Sequence, residues 1–300
     1  MSSRTVRTRT LSAYGKLPAA RDFVWHNCPD GSRRAFRAWL DSAGPLLSAI
    51  PGWSRLLFKF RPMPGEAPLL GVVWPSSDAG GLRPFPFALF SEGDRRIWQG
   101  ASLERELGPA WQACEQACLG LRSKRDEPEM ARLLEELDSG QDAAGPAVLS
   151  EPDARLSEWV TDVYGKDTEH FVLGLWRWRQ LIEQGRADSS KTAFLLPLSR
   201  RFALSAQVGS WTHVCQAAGW RSDREVLVLE RQDLAACLLT TAAAESLRSF
   251  ATPAPDCWEL RARGTPKNLA GFQDFDSHVR REMGHLSLRH VAELIGPRPS

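Results

Sequence analysis

The chain has no long hydrophobic run. No apolar stretch approaches the roughly 18 residues needed to cross a bilayer, which excludes stable membrane insertion as a helix. Arg4, Arg7 and Arg9 make the N-terminal arm basic, but no apolar segment accompanies them, so the arm does not read as a secretory signal. An excess of charge is missing too. With 38 Lys and Arg against 36 Asp and Glu, the net charge of +2 implies no strong field for a polyanion. The arginine arm also lacks interleaved aromatics, so nucleic acid is not expected as a partner. The six cysteines (28, 114, 118, 215, 237 and 257) form no CxxC and no paired spacing, and read as reduced, buried small hydrophobes. No GxSxG elbow, GxxxxGK phosphate loop or GxGxxG turn occurs, and no cofactor is implied. These absences describe a soluble, cytoplasmic protein.

What is present is tryptophan. Six of the twelve (25, 39, 53, 74, 98 and 111) fall before residue 112, which makes the first third a densely packed unit. Its centre is 69–90, LLGVVWPSSDAGGLRPFPFALF. Two short apolar runs, 69–74 and 85–90, read as buried strands. The connection 75–84 is longer than a hairpin needs, and such length leans towards a functional role. Ser76, Ser77 and Asp78 can bond nearby backbone, Gly80 and Gly81 allow positive φ, and Arg83 follows. Pro84 and Pro86 predict an edge position or an irregular start for the second strand.

Around this centre, 8–17 reads as a first strand, running into the turn Tyr14-Gly15-Lys16-Leu17-Pro18, and Asp22-Phe23-Val24-Trp25 follows. Ser32 is placed to cap a helix with Ala35, Phe36, Trp39, Leu40 and Ala43 on one face, and Gly44-Pro45 should kink or divide it. A strand is expected at 56–60, and a second amphipathic helix at 103–121 with Leu107, Trp111, Cys114, Cys118 and Leu121 inward.

The set Tyr14-Gly15-Lys16-Leu17-Pro18, Asp22-Phe23-Val24, Trp39-Leu40, Phe58, Phe60, Gly71-Val72, Pro75-Ser76-x-Asp78 and Phe85-Pro86-Phe87 resembles the TagF (ImpM-like) family of type VI secretion accessory proteins. The likeness covers about residues 11–120. Two positions depart from the family pattern. Arg21 stands where the family has glycine before the DFV aspartate, and Leu82 adds a residue between Gly81 and Arg83. The resemblance implies a non-enzymatic, cytoplasmic, post-translational repressor that binds the system's FHA-domain scaffold protein. It also implies a longin-type (SNARE-like) N-terminal domain. Tyr14, Gly15, Lys16, Leu17, Pro18, Asp22, Phe23, Ser76, Asp78, Arg83, Phe85 and Pro86 are then the motif and interaction residues.

Further on, 139–153 reads as a linker, after a short helix carrying Met130, Leu133, Leu134 and Leu137. Helices are expected at 156–163 and 171–182. Strands are expected at 193–198, at 202–208 by alternation of Phe202, Leu204, Ala206 and Val208, and at 225–230. A closing helix is expected at 233–250 and a tail helix at 273–295. The overall expectation is an α+β protein, with a mainly antiparallel sheet flanked by helices. Its divisions are 11–122, a helical segment with linker at 123–192, strands and a helix at 193–252 on the same or a second sheet, and a tail at 253–300.

Isolated polar residues carry little chemistry. His278, His285 and His290 are spaced too openly on one helix for a single metal. Cys114 and Cys118 fit the apolar face, and nothing orients His213 and Cys215 as a nucleophile pair. Two readings stand: a regulator acting through a protein-binding surface, with no catalytic turnover, and a hydrolase or phosphatase using Ser76, Asp78 and Arg83. The second needs Asp78 as base, although two residues along a tight turn Asp78 more naturally caps backbone. Asp78 is therefore expected to be structural and Arg83 to be exposed.

Overall fold

A computed structural model describes residues 10–28, 31–61, 65–94, 100–124, 126–138, 155–184, 193–219, 225–232, 235–240, 244–251, 257–260, 266 and 269–295. The expected linker 139–153 and the arginine arm lie outside these. The strands are β1 (Leu11–Gly15), β2 (Val24–His26), β3 (Trp53–Phe60), β4 (Leu69–Trp74), β5 (Phe87–Glu92), β6 (Ala193–Leu198), β7 (Glu225–Arg231), β8 (Ala235–Thr240) and β9 (Cys257–Glu259). They form one sheet in the order β2-β1-β5-β4-β3-β7-β8-β6-β9. Every described pairing is antiparallel except β6 with β9. The expected class, a mainly antiparallel sheet flanked by helices, is what is seen. Because β3 pairs β7, the strands of 193–252 continue the sheet of the first third.

Alternation along each strand divides the core between two faces. Leu56, Phe58 and Phe60 of β3 point with Leu69, Val73 and Phe90 to the side covered by α1 (Ser32–Ser48) and the 3-10 turn Ala244–Phe250. Leu57, Val72 and Leu89 point to the opposite face. That face is covered by α2 (Gly100–Arg122), α3 (Glu127–Asp138), α4 (Leu156–Tyr164), α5 (Thr168–Glu183), α6 (Leu204–Ala217), α7 (Leu269–Glu282) and α8 (Val291–Ile295). Gly71 sits where Phe58 and Phe90 close over the sheet. A Cβ there would lie 2.3 Å from the Leu89 carbonyl oxygen.

Several sequence expectations need correction. Pro45 does not divide α1, which runs through it. A mid-helix proline costs about 3 kcal/mol, less than the combined burial of Phe36, Leu40 and Leu47, at about 1.5–3 kcal/mol for each such side chain. Gly31 (φ 56°), and not Ser32, occupies the cap position.

The segment 202–208 is no strand, because α6 begins at Leu204. Its alternation is the front of a helical pattern in which Val208, Trp211, Val214 and Cys215 are buried. Gln207 fixes the turn before it, accepting from Trp159 Nε1 and the Ser199 amide, both at 2.7 Å. Its Nε2 donates to the carbonyls of Ser199 (2.7 Å) and Phe202 (3.0 Å).

The closing helix at 233–250 is strand β8 followed by the 3-10 turn. Ala235–Thr240 is buried throughout between β7 and β6, so pairing overrides the helix propensity of its alanines and leucines. The tail helix at 273–295 breaks after Glu282. Gly284 intervenes, and Ser287 and His290 box a new 3-10 start at Leu288–His290.

Candidate functional site

Register explains how motifs distant in sequence meet. Val24 of β2 pairs Gly15 of β1, Gly15 pairs Phe87 of β5, and Phe87 pairs Trp74 of β4. These four positions form one row at the end of the sheet. The Lys16–Phe23 turn and the 75–86 loop both leave from it.

Gly15 has φ +133°, and a Cβ on it would lie 2.1 Å from the Pro86 carbonyl oxygen and 2.7 Å from Phe87 Cα. Only glycine lets the first turn lie this close to the loop. Within the loop, Ser77 bridges Pro84, the Phe85 amide donates to the Ser76 carbonyl at 3.0 Å, and Gly81 donates to the Asp78 carbonyl at 2.9 Å. The Ala79 amide donates across to Ala20 at 3.0 Å, tying loop to turn.

Asp78 is the hub. Its side chain is 5% exposed. Oδ1 accepts from the amides of Leu82 (3.2 Å) and Arg83 (3.4 Å), and Oδ2 accepts from Arg83 Nε at 2.6 Å. Lys16, equally buried, brings Nζ to 3.7 Å from Oδ2 and donates to the Arg83 carbonyl at 3.3 Å. Burial works to raise the Asp78 carboxyl, but hydrogen bonds from the Arg83 side chain and amide outweigh it and hold its pKa below the usual value. Arg83 is 64% exposed, yet its Nη2 also donates to the Arg21 carbonyl at 3.2 Å. It is therefore both exposed and tied down. Arg21 serves here through its carbonyl, which any residue would supply. Leu82, the extra residue, is 85% exposed at the loop tip.

Aromatic rings pack beside this ion cluster. Tyr14 stacks on Phe23 (5.7 Å) and meets Trp25 (5.4 Å) and Phe85 (5.9 Å) edge-on, while Phe23 meets Phe85 at 4.9 Å. Lys16 Nζ lies 5.1 Å from the Phe23 ring centre. On α1, Arg37 lies over Trp25 (4.4 Å) and Tyr14 (5.3 Å) and pairs Asp41 at 3.6 Å. The Tyr14 hydroxyl donates to Asp41 at 2.6 Å. Burial, reinforced by that carboxylate, pushes the Tyr14 phenol up to about 12.

Tyr14, Gly15, Lys16, Phe23, Ser76, Asp78, Arg83, Phe85 and Pro86 thus meet in one place. Leu17 turns into the helix-rich core, Pro18 is exposed, and Asp22 accepts only from the neighbouring Phe23 amide among its described bonds (2.8 Å). Trp25, Arg37 and Asp41 belong to the site but carry no motif. The signal for Arg37 and Asp41 was an Arg–Asp pair at i, i+4 on α1, flanking the buried stripe. Elsewhere, His278 contacts Arg281, His290 contacts Ser287, His213 is exposed, and Cys114, Cys118 and Cys215 are buried. Among the described residues, no group of three or more His, Cys, Asp or Glu is placed to hold a metal, and no helix is long and apolar enough to cross a membrane.

No curated protein matches the chain. A crystal structure of PA0076 from Pseudomonas aeruginosa PAO1 is similar at 24% identity and a TM-score of 0.36. That likeness takes in 47% of this chain and 66% of the other. Residues 12–138 match the TagF N-terminal domain, type VI secretion system-associated, and this segment contains the whole row of strand ends and both loops of the site. The motif blocks at 14–23 and 75–87, joined at Gly15 and Asp78, are therefore those of a TagF N-terminal domain, type VI secretion system-associated, which the chain carries over residues 12–138.

Proposed function

We propose that the protein is a cytoplasmic, post-translational repressor of a type VI secretion system, acting by binding a system component such as the FHA-domain scaffold and not by turnover. The observation that carries this reading is the state of Asp78. A general base needs a free lone pair directed at a substrate proton and a pKa near working pH. Here Lys16, Arg83 and two amides engage both oxygens and favour the ionised form. Such a carboxylate shapes a surface. The TagF match adds the context in which that surface works.

The test is overproduction of the chain in a type VI-competent strain. Effector export should fall while transcripts of the secretion genes stay level. Unchanged export would refute the repressor reading, and ester or phosphate hydrolysis by purified protein that vanished with Ser76→Ala or Asp78→Asn would refute the non-enzymatic one.

A further inference from the structure

Four large hydrophobic residues are exposed among those described: Phe23, Trp25, Leu82 and Leu119. Three of them belong to the motif site. Phe23 and Trp25 are each 42% exposed, although both pack on Tyr14. They stand at the outer edge of the sheet, where β2 has, among the described residues, a sheet neighbour on one side only. Guanidinium groups rim the rings. Arg37, with its side chain 46% exposed, lies over Trp25, and Arg83, at 64%, crosses to the turn that holds Phe23. Arg37 is partnered by Asp41 and Arg83 by Asp78. Each nevertheless keeps solvent-facing donors, because a guanidinium carries five N–H groups.

We propose that this ledge is a docking surface for an extended, acidic segment of a partner protein. The segment would lie along the open side of β2, set an apolar side chain on Phe23 and Trp25, and place carboxylates against Arg37 and Arg83. Charge complementarity argues for the occupant. Half-exposed aromatics flanked by arginines are the composition of interface anchors, and planar guanidinium forks match carboxylates. An edge strand supplies backbone donors and acceptors for strand addition.

This inference rests on the binding-regulator reading, and the experiment separates the two. Full-length protein is measured by fluorescence polarisation against labelled 15-residue peptides tiling the FHA-domain scaffold. A defined set of apolar peptides carrying acidic, neutral or basic flanks is measured alongside. The expected result is binding of acidic members only, weakened by raised salt, and reduced about tenfold or more by Trp25→Ala and by Arg37→Glu. Arg132→Glu, a charge change at an exposed position of α3, should leave it unaltered. Thermal melts establish that each variant is folded, and because two unrelated substitutions report on one surface, misfolding of either leaves the other decisive. Binding of acidic designed peptides without any scaffold tile would refute the scaffold as partner and leave the ledge standing. Scaffold binding indifferent to Trp25 and Arg37 would overturn the ledge and leave the regulator standing. Absence of acidic selectivity, or concentration-dependent dimerisation lost in Trp25→Ala, would also overturn it.

Discussion

Replacing Gly15 by alanine should damage the protein well beyond what one methyl group suggests. Two costs add. At φ +133° a non-glycine residue is strained by about 1–3 kcal/mol. The new Cβ would also sit 2.1 Å from the Pro86 carbonyl oxygen and 2.7 Å from Phe87 Cα. Both are backbone atoms at the start of β5, so neither can rotate away as a side chain would, and overpacking of this kind costs about 1–3 kcal/mol more. The sum, about 2–6 kcal/mol, is a large part of an ordinary domain's stability of about 5–15 kcal/mol. Gly52 is the control: it too has positive φ (+69°), but a Cβ there meets nothing within 4 Å. Gly52→Ala should therefore show only the backbone cost of a left-handed conformation, about 1–2 kcal/mol. Urea unfolding followed by tryptophan fluorescence measures both. If the two variants shift the midpoint equally, or Gly15→Ala stays within about 0.5 kcal/mol of wild type as surface changes do, the close approach of turn and loop is refuted.

Gln207→Leu should cost about 4 kcal/mol or more, because it strands the Trp159 indole N–H, the Ser199 amide and carbonyl and the Phe202 carbonyl, at about 1–3 kcal/mol each where burial is complete. A denaturant midpoint like that of a conservative core change would refute this bonding. Asp78 has a folded pKa below its usual 3.8, so its ionised form is favoured on folding. Its contribution is present above pH 3.8 and is lost as pH falls through the folded value. Asp78→Asn should lower the midpoint at pH 7 and flatten the decline below pH 4. An acid profile parallel to wild type would count against the ion cluster.

How much of this was legible in the sequence depended on the range of the interaction. Strands 69–74 and 193–198 and the α1 stripe from Phe36 to Leu47 were readable because their period is local and complete. At 202–208 the visible window was too short: four alternating apolar residues match a strand, and only Trp211 to Cys215 reveal the helix. At 235–240 the alanines and leucines promise a helix, and the two neighbouring strands that overrule them are distant in sequence. The site divides the same way. Asp78 bonding its own loop was foreseeable from turn chemistry, since its acceptor reaches only to Leu82 and Arg83. That Lys16 would lie buried against it depended on the Gly15–Phe87 register, which no spacing encodes. Arg37 and Asp41 join through α1 docking beside Tyr14; their i, i+4 spacing marks them as a pair but does not show what they face.

The pairing of β3 with β7 also sets a timetable for synthesis. Leu57 meets Val228, about 170 residues later in the chain. At about 5–20 residues per second, the ribosome delivers that partner about 10–30 s after β3. The segment matching the TagF domain is finished about midway through that interval, and until β7 arrives the β3 edge beside Leu56, Leu57 and Phe58 stands open. An uncovered apolar edge invites pairing with other chains. Cutting the gene after residue 138 would make that interval permanent, so a fragment bounded by the family match should aggregate where the full chain does not.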